Sequence, residues 1–373
     1  MCDRSRILVI GPAYLDRVLE VAEPLHDPRG GLALDQSVRG MRTGNLQSQD
    51  RLRLVDPRGR MVEIEPPPGW PGPCGWIELD QSLGEDAPGF RSIRGSGWRD
   101  DLGGMGAGFA AALGGRLVPI LGSDSDEKTR MIREFLDRNG IPYSPLVVPH
   151  AVSEWTLLVS SGEHGDKLAI GFRGCCDFVE PQAIASAASA RCELRVVAGV
   201  PNPLAAAALA APGAVMRLFA PSLRNMNDSE TPIARFAGDV DLLCCNRREW
   251  EQLADREEVA WKVSILVVTD GPRGSLVRFT RPDGEPGFLE IPAFPRARPP
   301  RDTNRAGEAF AASFVATLLA HRWGASSGVA AESLIREAML RAAAAAALVL
   351  DHKEFGFPVP CEIDAALAKG RID

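Results

Sequence analysis

The stretch RDTNRAGEAFAASFVATLLA, from Arg301 to Ala320, runs a polar, glycine-containing turn straight into an apolar helix. The first N–H groups of a helix have no partner inside it, and the aligned peptide dipoles make that end positive. Such a helix start collects an anion. Glu308 falls in its first turn. An acid there stabilises the helix end, or it takes a proton from a hydroxyl that attacks a phosphate. Asp302 or Thr303 as an N-cap gives the purely structural version of the same stretch. The stretch alone leaves both uses open.

The rest of the chain narrows the choice. Its 373 residues suffice for one large α/β domain or two smaller ones, and a 45% hydrophobic, 24% charged composition is that of a water-soluble globular chain. A net charge of −7 without a basic run argues against nucleic acid as a partner. No apolar run is long enough to span a bilayer. The start, MCDRSRILVIG, lacks a signal-peptide pattern and reads as a first strand, so a cytoplasmic location is expected. Eight cysteines include the adjacent pairs Cys175–Cys176 and Cys244–Cys245 but no C-x-x-C, which predicts buried, reduced thiols. The five histidines are scattered and form no H-E-x-x-H, so a histidine metal site is not expected.

Along the chain, RILVIGPAYLDRVLEV reads as a buried strand, a Gly-Pro turn and a second apolar segment, with Asp16 just past the turn. From about His26 to Asp101 the sequence is rich in Gly, Pro, Arg and Asp. Short alternating pieces such as RLRLVD and MVEIE predict strands and loops rather than helices. GGMGAGFAAALGG, from Gly103, is a glycine-rich entry into a short helix. It follows polar GWRDD, read here as non-strand, and lacks the G-x-G-x-x-G order, so a Rossmann cofactor site is rejected. RLVPILG reads as one strand, DEKTRMIREFLDRNGI as an amphipathic helix stopped at Asn139-Gly140, and SEWTLLVSS with KLAIGFRG as a hairpin. LRVVAGV, AVMRLFAPS and VDLLCCN are strand-like and separated by helical segments. SILVVTDGPRGSLVRF is strand, tight glycine loop, strand. The alanine-rich ESLIREAMLRAAAAAALVL closes the fold as a helix. Alternation of this kind predicts a mostly parallel sheet covered on both faces, with ligands beyond the carboxyl ends of the strands. Asp16, Asn246, Thr269 and the 302–308 turn all follow predicted strands.

Four separated segments, taken in order, resemble the ribokinase-like sugar kinases of the PfkB type. That family's D-T-x-G-A-G-D stands here as Asp302-Thr303-Asn304-Arg305-Ala306-Gly307-Glu308. VTDGPRG resembles its V-T-x-G-x-x-G nucleotide loop at Thr269, Gly271 and Gly274, and NRRE its N-x-x-E element at Asn246 and Glu249. GGMGAGFAAALGGRLVPILGSDSD resembles its glycine-rich substrate signature at Gly103 and Gly104. Asp16 falls where the family has a substrate-binding aspartate. The resemblance covers roughly residues 5–25 and 101–365. It implies a three-layer α/β/α ribokinase-like fold with a mostly parallel central sheet and a β-rich lid. The implied core is residues 1–25 and 101–373, and the lid is an enlarged 26–100 insert with the 152–173 hairpin.

By that resemblance the activity is ATP-dependent phosphoryl transfer to a hydroxyl of a sugar- or nucleoside-like small molecule. Glu308 is the implied base, and backbone N–H groups around Ala306 and Gly307 hold the transferring phosphate; the Arg305 guanidinium beside them could bind a phosphate or phosphorylated substrate, or fill the site. Asn246, Thr269, Gly271 and Gly274 are implied at the nucleotide, Glu249 at Mg²⁺, and Asp16, Gly103, Gly104 and Asp302 at the substrate. No Walker A sequence is present. The loop could equally be a plain hairpin turn, and Asn246 with Glu249 a helix capping box. Three positions depart from the family: Arg305 replaces a glycine, Glu308 an aspartate and Gly108 an asparagine. Those departures support the alternative of a catalytically impaired, kinase-like protein that binds a small ligand in a regulatory or structural role. Exposed lid strand edges would need protection, which makes a homodimer through the lid an expectation too.

Overall fold

The computed structural model describes residues 6–23, 34–42 (backbone only), 51–79, 82, 90–161, 166–298, 300, 303–323, 329–352 and 354–372. Asp302, one of the residues expected at the substrate, lies outside them.

In chain order the first elements are strands β1 (Ile7–Ile10), β2 (Tyr14–Val21), β3 (Leu34–Arg42), β4 (Leu52–Val55), β5 (Met61–Glu65), β6 (Gly75–Leu79) and β7 (Phe90–Gly103). Helix α1 (Met105–Leu113), β8 (Arg116–Val118), β9 (Ile120–Leu121), α2 (Glu127–Arg138), β10 (Leu146–Val147), β11 (Trp155–Ser161) and β12 (Asp166–Phe172) follow. Next come α3 (Pro181–Ala188), β13 (Cys192–Ala198), α4 (Asn202–Ala210), β14 (Ala214–Ala220), α5 (Leu223–Met226), β15 (Leu242–Asn246), α6 (Arg247–Gln252) and α7 (Arg256–Lys262). The chain ends with β16 (Ile265–Thr269), β17 (Ser275–Thr280), β18 (Pro286–Ile291), α8 (Ala306–Ala320), α9 (Glu332–Val349) and α10 (Pro360–Lys369).

Eight strands form the central sheet in the order β18-β17-β16-β15-β14-β13-β1-β8. Pairing is parallel from β8 to β16 and antiparallel through β17 and β18. Helices cover both faces, as expected for strands that read as continuous apolar runs. Side chains alternate between two cores: Leu242, Cys244, Ile265 and Val267 join the one containing Phe310 and Phe314 of α8. Leu243, Cys245, Leu266 and Val268 join the one under α3, α4 and α7. Cys244 and Cys245 are thus ordinary neighbours on β15, facing opposite layers. Burial alone pushes the Cys244 thiol up to about 12. The architecture is a three-layer α/β/α fold with a mostly parallel central sheet and a β-rich lid.

The lid is a closed barrel, β11-β12-β3-β6-β4-β5-β7-β2, completed by parallel pairing of β11 with β2. Its interior holds Leu19, Leu52, Leu54, Ile64, Ile77, Leu157, Val159 and Ile170. Because the ring pairs both edges of each strand, edge protection supplies no reason for two lids to meet. β2 belongs to this barrel, and β7 runs through residue 101, where the sequence reading puts the core boundary.

Three local readings differ from the structure. GWRDD lies inside β7, so the glycine-rich helix entry does follow a strand, but one of the lid. The charged residues of β7 hide the strand in the sequence because their partners are distant in the chain: Asp100 pairs with Arg17 and Asp101 with Arg305. RLVPILG divides at Pro119 into β8, in the central sheet, and β9, which pairs separately with β10. Proline has no N–H to continue a ladder. Helix α10 follows α9 and packs on its alanines, so the alanine-rich helix is not the last element.

The glycines near α1 are needed because two backbones touch. A Cβ at Gly106 would meet the carbonyl carbon of Gly11 at 2.4 Å, and one at Gly11 the Cα of Gly106 at 2.8 Å. Gly104 has φ 93°, and a Cβ there would meet the Pro12 carbonyl oxygen at 2.5 Å. This packing holds α1 against the carboxyl end of β1. Gly106→Ala is expected to destabilise the protein by about 1–3 kcal/mol, even though alanine normally favours a helix by roughly 1 kcal/mol. Urea denaturation of the two proteins measures this; an unchanged or higher midpoint would show that the close contact does not set the packing.

Candidate active site

At the carboxyl edge of the parallel sheet, the ends of β1, β13 and β14 face the start of α8 and the outer wall of the barrel. A cleft opens there, as is usual where strands of an open α/β sheet end. It is lined by Asp16 and Tyr14 of β2, Gly104 before α1, Glu154 before β11, and Asn304 and Glu308 at the α8 entry. A smaller recess continues from it past Asp16 and Glu308 to Asp101, Gly108, Arg305 and Phe355. Asp16 and Glu308 border both spaces.

Asp16 is positioned by the period of its strand. Tyr14, Asp16 and Val18 share the face turned toward the core, while Leu19 and Val21 fill the barrel. Asp16 therefore lies within a lid strand rather than in the turn before it. A Cβ at Gly103 would fall 2.1 Å from an Asp16 carboxylate oxygen, so Gly103 is the bare surface on which that carboxylate rests. Gly104 bends the chain from β7 into α1.

Glu308 stands in the first turn of α8, half-buried. Arg305 is the N-cap of that helix and adopts the left-handed conformation, φ 67°. Glycine takes this conformation without strain; an arginine in it is strained. Its guanidinium turns toward the lid, donating to an Asp101 carboxylate oxygen at 3.3 Å and to the His352 carbonyl at 3.4 Å. It also lies 6.0 Å from the Phe355 ring centroid. Arg305 is only 10% exposed and Asp101 17%, so the pair is largely withdrawn from water. Burial raises the Asp101 carboxyl above the usual range, and the Arg305 charge opposes that rise. Ala306 and Gly307 supply the backbone between cap and carboxylate.

The remaining candidates lie farther along the same edge. Asn246 and Thr269 end β15 and β16 and are register partners. Asn246 accepts from the Glu249 N–H at 2.8 Å and Glu249 accepts from the Asn246 N–H at 2.8 Å, a reciprocal capping box on α6. The structural alternative for this pair is therefore realised, and one carboxylate oxygen of Glu249 is engaged. Among the described residues no three metal-ligating side chains cluster. Mg²⁺ commonly keeps most of its waters and takes only one or two carboxylates, so Glu249 and the strand-end oxygens fit it as outer contacts only.

Gly271, φ 53°, and Gly274, φ 100°, shape the turn joining β16 to β17. A Cβ at Gly274 would lie 2.0 Å from the Ile291 carbonyl oxygen, which excludes any other residue without a shift of β18. Asp270 in this turn is held below its usual carboxyl range, first by hydrogen bonding to Arg273. Arg247 is its second cationic partner, at 3.4 Å.

The structure thus gathers Asp16, Gly103, Gly104, Arg305 and Glu308 around one cleft. It sets Asn246, Glu249, Thr269, Gly271 and Gly274 along the neighbouring strand ends. Tyr14, Asp101, Glu154 and Phe355 were not anticipated. The Tyr14 hydroxyl donates to buried Glu154 at 3.0 Å, and burial, then the Glu154 charge, pushes the phenol well above its usual value. Tyr14 was findable from its two-residue offset to Asp16. Asp101 reaches the site only because β7 pairs Asp101 with Asp16.

Residues 89–361 match the pfkB family of carbohydrate kinases. No curated protein matches. Solved structures with the same fold include ribokinase from Giardia lamblia, with TM-score 0.65 and 17% identity over 98% of this chain and 99% of that one. The Methanocaldococcus jannaschii nucleoside kinase, described as an archaeal member of the ribokinase family, gives 0.63 and 15% over 98% of each chain. Burkholderia thailandensis nucleoside kinase, solved in complex with ADP-inosine, gives 0.58 and 18% over 98% of this chain and 95% of that one. The match spans more than half of the chain, and its glycine-rich entry and α8 turn build the cleft just described: the chain belongs to the pfkB carbohydrate kinase family.

Proposed function

We propose that this protein transfers a phosphoryl group from ATP to a hydroxyl of a small sugar- or nucleoside-like substrate bound in the cleft between β2 and the start of α8. The observation that carries this reading is the convergence of Asp16, from the lid, and Glu308, from the first turn of α8, on one cleft. The bound inosine of the Burkholderia relative is in keeping with a polyhydroxylated acceptor of this size.

When bound, ATP with Mg²⁺ supplies the phosphoryl group and a partly neutralised leaving group. Asp16 accepts hydrogen bonds from substrate hydroxyls and sets which one faces α8. Glu308 accepts the proton of that hydroxyl as its oxygen bonds to phosphorus and the bond to ADP breaks. The N–H groups of Ala306, Gly307 and Glu308 stabilise the charge on the transferring group through the helix end. The Gly271–Gly274 turn allows backbone to approach the nucleotide, and Asn246 and Glu249 orient water around the cation. Tyr14 and Glu154 close the far side of the acceptor pocket.

Arg305 supports a second reading, a kinase-like protein that binds its ligand without turnover, because an arginine stands where the family has glycine. Its guanidinium, however, is committed to Asp101 and the His352 carbonyl. We therefore assign it to clasping the lid to the α8 turn rather than to filling the phosphate site.

ATP with Mg²⁺ is expected to raise the melting temperature, since a ligand that binds the folded state stabilises it. No shift at millimolar nucleotide would count against the kinase reading. In a panel of sugars and nucleosides, Glu308→Ala should lower turnover of the accepted substrate by about 10²–10⁴-fold. Turnover that survives the change would remove Glu308 as the base.

Arg305→Gly is expected to keep turnover within about tenfold while changing the pH dependence of stability. Without Arg305 the buried Asp101 carboxyl rises further, so the folded variant holds its proton to higher pH than the unfolded chain does. Stability then falls as pH rises above roughly 4, the ordinary aspartate value, and the deficit relative to wild type grows over the same interval. Denaturant midpoints at pH 4.5 and 7.5 measure it; a deficit independent of pH would show that the Asp101 pairing is not what Arg305 supplies.

A further inference from the structure

Gly108 is unusual among the glycines of this chain. It sits inside α1, buried, with its N–H donating to the Gly104 carbonyl at 3.1 Å and no left-handed φ. Its backbone conformation is one that any residue adopts, and glycine weakens a helix relative to alanine. The reason for glycine must therefore lie in what faces it. A Cβ at position 108 would lie 3.3 Å from Cγ of Glu308, 3.5 Å from its Cβ and 3.3 Å from Cζ of Phe357. The first and last of these distances are tighter than ordinary carbon–carbon contact.

We infer that Gly108 is the positioning residue for Glu308, and that the two departures from the family pattern at 108 and 308 are one exchange. This inference rests on the kinase reading only for what the carboxylate does, not for how it is placed. In an aspartate the γ carbon is the carboxylate itself, and an asparagine amide at 108 would face it, polar group to polar group. In Glu308 the γ carbon is a methylene, and it rests on the bare Cα of Gly108. Apolar surface meets apolar surface, and the carboxylate is carried one bond farther, into the cleft shared with Asp16. Phe357 closes the other side of the same contact. A side chain at 108 would compete with both for space and turn Glu308 from its present path. Placement of a reacting group matters steeply: a displacement of about 1 Å can cost on the order of 100-fold in rate.

The test is a double-mutant cycle read by melting temperature and, separately, by turnover. Gly108→Ala should lower the melting temperature when Glu308 is present, and should lower it less in the Glu308→Ala background, where the Cγ contact is gone while those with the residue 308 Cβ and Phe357 remain. Equal shifts in the two backgrounds would overturn the inference. This arm needs no catalysis, so it stands even if the chain turns nothing over. In the kinetic arm, Gly108→Asn should lower kcat by about 100-fold with little change in KM for ATP. The double variant Gly108→Asn/Glu308→Asp should recover about tenfold of that loss. A double variant no faster than Gly108→Asn would also overturn it, because a purely structural role for Gly108 would gain nothing from shortening residue 308. Should the asparagine variant fail to fold, the alanine cycle decides alone.

Discussion

The cleft depends on a contact between two stretches of main chain with no side chain between them. Gly11, at the end of β1, and Gly106, at the start of α1, approach closely enough that a Cβ on either would strike the other. Because β1 is bounded by β13 and β8 in the sheet, this contact fixes where α1 begins relative to the carboxyl edge of the sheet. α1 in turn lies against α8, and through Gly108 it meets the residue proposed as the base. The lid enters at the same place, since β2 leaves from Ala13 and β7 arrives at Gly103. One close approach thus sets the spacing of sheet, lid and both helix starts. Side chains could not do this as well: they would widen the gap and free the helix to shift by rotamer.

Electrostatics are arranged around that frame rather than producing it. Asp16 and Asp101 are register partners on adjacent strands, a like-charge placement that is unfavourable when uncompensated. Arg305 supplies the compensation for Asp101 from a strained backbone position. Strain and desolvation are tolerated at the same point, which is where a site that must handle phosphate charge would concentrate them. The positive end of α8 is left to the backbone N–H groups.

Much of this was legible in the sequence, for physical reasons that differ by element. The strands of the central sheet are apolar on both faces, so VDLLCCN and SILVVT announced themselves by composition. Asp16, Glu308 and the glycine loop could be located because each belongs to a local pattern. β7 was hidden: it is long, carries half-buried charges whose partners lie far off in the chain, and contains Gly95, Gly97 and Gly103. Closure of the barrel was hidden too, because β4 pairs with β6 in parallel across an intervening strand, and β12 pairs with β3, a segment far away in the chain. The Arg305–Asp101 pair spans 204 positions, beyond the reach of any spacing argument. In the same way, Gly108 read as a missing asparagine; only its neighbours show what occupies the vacated volume.

The closed ring of the lid has a mechanical consequence. An open sheet can curl, fray or slide one strand past the next, and so admit ligands piece by piece. A cylinder with hydrogen bonds all the way round, filled among the described residues by twelve buried apolar side chains, resists such shear. It behaves as a stiff cap, and any widening of the cleft has to be absorbed where the chain passes between cap and body. Those crossings fall near Gly11, Gly103–Gly104, Ser153 and Gly174. Three of the four contain glycine packed against another stretch of main chain, so the cap is seated on the body through a few tight peptide contacts at the rim, and movement between the two has to break them.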